Sequence, residues 1–133
     1  EQAIRLGNEL HRFWYSRDYE RESRRWLDEI VARTPEVRSL ERAQLLGRAG
    51  MLAAAQGDLA RSIERYEQAL ELCAEFPVVR LHATLRNALA VPLCRRGEYA
   101  RAIALTEEAL LLARQLGDPD TVIVVVSTLA QVV

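Results

Sequence analysis

Apolar residues recur along this chain at three- and four-residue spacing, broken by short polar or glycine-containing stretches, a pattern that predicts amphipathic helices joined by tight turns. Ile4, Leu6, Leu10, Phe13 and Trp14 fall on one helical stripe between about Ala3 and Tyr15. Ser16 to Asp18 break it, and Tyr19, Trp26, Leu27, Ile30 and Val31 form a second stripe that stops at Thr34-Pro35, since proline disfavours helical geometry in the residue before it. A long helix is predicted from about Val37 to Gln56, where Leu40, Ala43, Leu46, Ala49, Gly50 and Ala53 are mostly small and so permit close helix contact. The next helix turns Leu59, Ile63, Tyr66, Ala69, Leu70 and Cys73 inward, is capped by Asp58 and closes at Phe76-Pro77. A third pair follows, with Leu81, Leu85, Ala88, Leu89 and Leu93 on its first helix and Tyr99, Ala102, Ile103, Ala109 and Leu110 on its second. Pro92 is expected to bend the first of these or end it early.

Gly117-Asp118-Pro119-Asp120 combines a helix C-cap, an N-cap and a first-turn proline, so another helix is predicted to begin there. Local propensity disagrees, because Val122 to Val126 is β-branched throughout. Register decides for helix: Leu129-Ala130 stands forty residues after Leu89-Ala90. The same offset relates Gly57-Asp58-Leu59-Ala60-Arg61 to Gly97-Glu98-Tyr99-Ala100-Arg101, and Tyr66 to Ala69 matches Thr106 to Ala109. Arg17-Asp18-Tyr19 and Trp26 extend the period back to a divergent first copy in which arginine replaces the glycine. A fixed period of this size marks a solenoid whose units bury their apolar faces against their neighbours. The fold class is therefore all-α, a stack of antiparallel helical hairpins with about seven helices: three hairpins and a lone C-terminal helix. As a single repeat domain over residues 1–133, its repeats would run approximately 1–35, 36–76 and 77–117, with a partial unit at 118–133. The sequence reads as a piece of a longer polypeptide, and the last helix is expected to expose an apolar face that could support self-association.

A formal net charge of −1 supplies no electrostatic footprint for direct nucleic-acid binding. The basic residues are all arginine and stand beside carboxylates, as in Arg21-Glu22-Ser23-Arg24-Arg25, which reads as solvated helix faces. Cys73 and Cys94 are the only cysteines and sit in apolar helical stretches, so they are expected to be small buried hydrophobes in a reducing, cytoplasmic setting. His11 and His82 are far apart and lack an i to i+4 partner, so neither a metal nor a cofactor is expected. Glu64, Glu67, Glu71 and Glu75 lie along one helix as a solvated face rather than as acid–base groups, and no catalytic motif is present. Neither a signal peptide nor an apolar span of membrane length is found.

The hairpins resemble tetratricopeptide repeats. That family asks for small residues, a turn glycine, an aromatic and an alanine at set positions, here met by Gly50, Ser62, Gly57, Tyr66 and Ala69, and again by Ala90, Ala102, Gly97 and Ala109 with Thr106 in place of the aromatic. The forty-residue period is longer than the usual one for these repeats. Longer units, together with Leu10-His11-Arg12-Phe13-Trp14-Tyr15, Arg17-Asp18-Tyr19 and Arg24-Arg25-Trp26-Leu27, are similar to the repeat domain of MalT/LuxR-type ATP-binding bacterial transcriptional activators. The resemblance implies a right-handed superhelix and a non-catalytic sensor or interaction module. Nucleotide hydrolysis and DNA binding would belong to other domains, for this chain has no phosphate-binding loop and no lysine at all.

In the register of that family the first helix of each unit lines the concave face. The resemblance so places Ile4, Gly7, His11, Trp14 and Tyr15 there, then Gln44, Gly47, Met51 and Ala55, then Thr84, Asn87, Val91 and Arg95. His11, Trp14, Tyr15, Gln44, Met51, Thr84, Asn87, Val91 and Arg95 are the candidate binding residues, suited to a protein, a peptide or a small effector with apolar character. Trp14 and Tyr15 could form a recognition platform, but aromatics at the start of a solenoid are more often packing for the first hairpin or contacts to a preceding domain. A different class of function fits the same residues: a structural scaffold or dimerisation module with no ligand in the groove.

Overall fold

The computed structural model describes residues 2–14 and 20–132, with the backbone alone for residues 10–14 and 20. Among the described residues there are seven helices and no strand: α1 (Gln2–Trp14), α2 (Glu20–Arg33), α3 (Leu40–Ala55), α4 (Leu59–Cys73), α5 (Val79–Arg95), α6 (Tyr99–Leu116) and α7 (Pro119–Val132). The repeat read from the sequence is visible in the helix starts, with Leu40, Val79 and Pro119 forming one series and Leu59 and Tyr99 the other. The helices gather into two compact units, Glu1–Leu72 and Cys73–Val133.

In the first unit α1, α2 and α3 pack together around Ile4, Leu27, Val31, Leu45 and Leu46, all essentially removed from solvent. Ser39 caps α3 by accepting a hydrogen bond from the Arg42 amide at 3.2 Å. The small residues of α3 serve the close contact that they predict. Gly50 lies under the Tyr66 ring of α4, where an added Cβ would meet three ring atoms at 3.1 Å, and its carbonyl accepts the Ser62 hydroxyl at 2.8 Å. The turn between the two helices needs Gly57, whose φ of 78° is left-handed and strains any residue with a side chain. Asp58 then donates its amide to the Ala53 carbonyl at 2.9 Å and accepts from the Arg61 amide at 3.2 Å, the expected cap.

A polar network joins α2 to α4. Arg24 of α2 pairs with Asp58 and with Asp28, and it donates to Gln56 at 3.0 Å. Arg65 of α4, only 8% exposed, donates to Asp28 at 3.3 Å and to Gln68 at 3.1 Å. Burial, and the nearby guanidiniums of Arg65 and Arg38, push the Arg42 pKa down. Sequence reasoning treated these arginines as surface residues and did not foresee that α2 and α4 would share carboxylates.

The second unit repeats the arrangement. Gly97, at φ 88°, and the Glu98 amide bonded to the Leu93 carbonyl at 2.9 Å rebuild the Gly57 turn. Leu85, Leu89, Ala90 and Leu93 of α5 are buried with Ala102, Thr106 and Ala109 of α6, and Thr106 donates its hydroxyl back to the Ala102 carbonyl at 2.8 Å. Pro92 does not end α5 early: the helix continues to Arg95, and the Arg96 amide closes the last turn on the carbonyls of Pro92 and Leu93 at 3.1 and 3.2 Å. A second expectation also fails, since Tyr99 is 58% exposed rather than inward. It is the first residue of α6 and precedes the buried stripe that begins at Ala102.

Val122 to Val126 is helical, as the register requires and β-propensity does not. Gly117 closes α6 at φ 70°, Asp118 accepts from the Asp120 amide at 3.2 Å, and Val125 joins the core made with Ala109 and Ala113, with Val122 packed against it, while Thr128 and Val132 are also buried. Capping and tertiary burial together override the local preference. No described helix is long and apolar enough to cross a membrane.

Both capping aspartates have pKa values held below the ordinary carboxylate range. For Asp58 the main cause is the hydrogen bond from Arg24, and for Asp118 those from Thr121 and Arg80. A depressed folded-state pKa contributes stability that is present above the unfolded value of 3.8 and is lost as pH falls through the lower folded value. Stability is therefore expected to decline on acidification below about pH 4, and Asp58→Asn with Asp118→Asn to flatten that decline in urea titrations at stepped pH. An unchanged acid slope in the double variant would contradict the assignment.

Candidate interaction surface

The candidate residues are placed by helix periodicity, because first-helix positions three, four and seven apart share a face. On α5, Thr84, Asn87, Val91 and Arg95 do share one, with Thr84 and Arg95 exposed and Asn87 and Val91 half-buried. On α3, Gln44 and Met51 are half-buried, as is Gly47, while Ala55 is exposed. The side chains of His11 and Trp14 lie outside the described residues, and so does all of Tyr15. Ile4 is corrected: it is 1% exposed and belongs to the core of the first unit. Gly7 is buried as well, facing Ile30 and Leu45.

The second unit gathers two of the candidates into a cleft. Thr84 and Asn87 of α5 line a cavity of about 350 Å³ with Arg80, Asp118, Asp120, Thr121, Val124 and Val125. Its wall is organised by charge: Arg80 donates to Asp118 at 2.6 Å and to Thr121 at 3.2 Å, and Thr121 donates to Asp118 at 2.7 Å. Thr84 is occupied with the Arg80 carbonyl at 2.7 Å. Asn87 Oδ1 is different, being buried without a hydrogen-bond partner, which is costly for an amide oxygen. Val91 and Arg95 continue the same helix face beyond the cleft lining. Arg80 and Thr121 escaped sequence reasoning, although Asp118 was identified as a cap. The available signal was the register, which sets α5 and α7 as successive first helices.

A second cavity, of about 280 Å³, opens between α1 and α2 and was not foreseen. Ala3, Leu6, Gly7, Trp26 and Ile30 make it almost wholly apolar, with Glu29, Arg33 and Thr34 at its margin. Trp26 was expected to point inward like Tyr66, yet it is 50% exposed. Tyr66, by contrast, lies over Gly50, which has no side chain to displace its ring.

His82 and Cys73 are closer than their sequence spacing suggested. His82 Nε2 lies 2.8 Å from the Phe76 carbonyl, which can only accept, so Nε2 carries the proton and Nδ1 faces two donors, the Arg86 guanidinium at 3.5 Å and the Cys73 thiol at 3.6 Å. Burial pushes the thiol pKa up, against the smaller pull of Arg86, and favours the protonated, unreactive form. No group of three or more potential metal-ligating His, Cys, Asp or Glu residues occurs among the described residues.

Fold and site together define a helical-hairpin repeat protein with a polar-walled cleft between successive first helices. Solved structures narrow the class to TPR-like repeats. Two crystal structures of a Podosopora anserina putative kinesin light chain with nearly identical TPR-like repeats align with the chain at 19% identity, one with a TM-score of 0.82 and the other of 0.81. The alignments cover 99% and 97% of this chain, which spans only 66% and 64% of theirs. The all-α, TPR-like fold predicted from the repeat is thereby shown. No family model and no curated protein matches the sequence.

Proposed function

We propose that this chain is a protein-interaction or effector-sensing module, non-catalytic by itself, that binds an extended peptide or small effector along the first-helix face carrying Thr84, Asn87, Val91 and Arg95. The observation that carries the reading is the cleft between α5 and α7, where Asn87 keeps a buried acceptor without a partner. Arg80, Asp118 and Thr121 offer polar partners to a peptide backbone, and Val124 and Val125 offer an apolar floor to a side chain beside it. The resemblance of the first hairpin to MalT/LuxR-type activators supports a setting in a cytoplasmic bacterial transcriptional regulator, with signal transduction as the output.

Selection of peptides from a random display library, followed by calorimetry on the hits, tests the site. Asn87→Ala and Arg95→Ala are expected to weaken the hits about tenfold or more, the equivalent of ~1.4 kcal/mol. The same Asn87→Ala change removes an unpaired buried acceptor, so its melting temperature should be no lower than that of the parent. If no selected peptide depends on either residue, the alternative gains: a scaffold or dimerisation module with an empty groove.

A further inference from the structure

The two ends of the α5 face differ in the sign of the charge they offer. At the cleft end Arg80 is committed to Asp118 and Thr121, and on the same helix Arg86 is committed to Glu108 at 3.2 Å. Asp120 lines the cleft and uses only its amide, on Asp118, so among the described residues its carboxylate has no hydrogen-bond or ion-pair partner. At the other end Arg95 is exposed in the last turn of α5, and among the described residues its guanidinium is equally without one. Since Arg80 and Asp118 cancel, a ligand meets one negative charge at the start of α7 and one positive charge at the end of α5, with Val91 along the way and Val124 and Val125 in the cleft. The hairpins do not need either charge: Asp118 is the residue that caps α7, and the position forty residues before Arg95 is Ala55.

We propose that the ligand of this face is an extended peptide of mixed charge, with a basic side chain at Asp120 and an acidic one at Arg95; this rests on the reading of the face as a peptide groove. The helix sets the spacing. Arg80, at the level of the cleft, and Arg95 stand 15 residues apart in α5, about 22 Å at ~1.5 Å per residue. An extended chain at ~3.3 Å per residue covers that length in about six or seven residues. Either chain direction satisfies both charges, so their sign and separation define the motif. A peptide with like charges at the two positions meets repulsion at one end.

The probes are three fluorescently labelled, end-capped peptides of alternating valine and serine, followed by anisotropy against the full 133-residue chain. One carries a lysine and an aspartate about six residues apart, the second two lysines and the third two aspartates at those positions. An exposed ion pair is worth about threefold in affinity, so exchanging attraction for repulsion at one end moves it about tenfold. At low ionic strength the mixed peptide should therefore bind about tenfold more tightly than either of the others, and added salt should shrink the margin. Arg95→Glu should make the two-lysine peptide the best of the three, and Asp120→Lys the two-aspartate peptide. Arg95→Gln and Asp120→Asn, which remove charge with little change of shape, should level the two peptides that differ at the altered end, so a loss of stability on charge reversal would not decide the outcome. Equal binding of the three peptides, no binding by any of them, or a ranking that the charge changes leave unmoved would each overturn the proposal. The groove itself is judged separately, by whether Asn87→Ala weakens bound peptides whatever their charge.

Discussion

Gly50→Leu is expected to destabilise the first unit by about 3 kcal/mol, at the upper end for overpacking a close helix contact. A Cβ alone would sit 3.1 Å from three atoms of the Tyr66 ring, and the rest of a leucine has nowhere to go while Ser62 holds the Gly50 carbonyl at 2.8 Å. Gly50→Ala is a finer probe, because helix propensity favours alanine by about 1 kcal/mol and the ring contact opposes it. The third hairpin shows a way out, with alanine at residue 90 and threonine at residue 106, both at 0% exposure. Tyr66→Thr by itself should cost about 3 kcal/mol through lost ring burial. Combined with Gly50→Ala it should cost less than the two single changes together, a coupling of at least ~0.5 kcal/mol in a urea double-mutant cycle. Strict additivity would mean that the ring and the glycine do not constrain each other.

That cycle rests on a feature legible in the sequence, and its limits are informative. Small residues at Ala43, Ala49, Gly50 and Ala53, and the glycine turns at Gly57 and Gly97, announced the hairpins because a close helix contact and a left-handed turn each admit few residue types. Register carried the α7 assignment against its own β-branched run. The same register misled at Trp26, which occupies the position equivalent to Tyr66 and yet is 50% exposed. Pro92 does not end α5 early because its cost falls in the last turn, where only Leu93, Cys94 and Arg95 follow it in the helix.

The candidate face on α5 was legible by periodicity alone, but its cleft was not. Arg80 and Asp118 are 38 positions apart, and arginine beside a carboxylate in a helix-rich sequence ordinarily means a solvated i to i+4 pair. Only the packing of α5 with α7 turns Arg80 toward the α7 cap. Asn87 likewise gave no sign in sequence that its oxygen would be enclosed without a donor.

Pairings of this long-range kind lead to the second large effect, Asp28→Ala, expected to cost about 2 kcal/mol in the urea unfolding of the first unit. Asp28 is shared by Arg24 and Arg65, but the two arginines do not depend on it equally. Arg24 keeps Asp58 and Gln56. Arg65 is left with Gln68, at 8% exposure, with its Nε already buried and unpartnered and with Arg42 nearby. The magnitude is set below that of a fully buried pair because the Asp28 side chain is 31% exposed. Removing the cation instead should be far milder. Arg65→Met keeps the aliphatic stem in the core, deletes the unsatisfied Nε and relieves Arg42, so its cost should stay within about 1 kcal/mol. Adding Arg65→Met to Asp28→Ala should then recover stability, since no buried charge remains unpaired. The opposite order, with Arg65→Met the more damaging and no recovery in the double variant, would mean that the guanidinium stabilises the α2 to α4 contact through interactions other than its ion pair with Asp28.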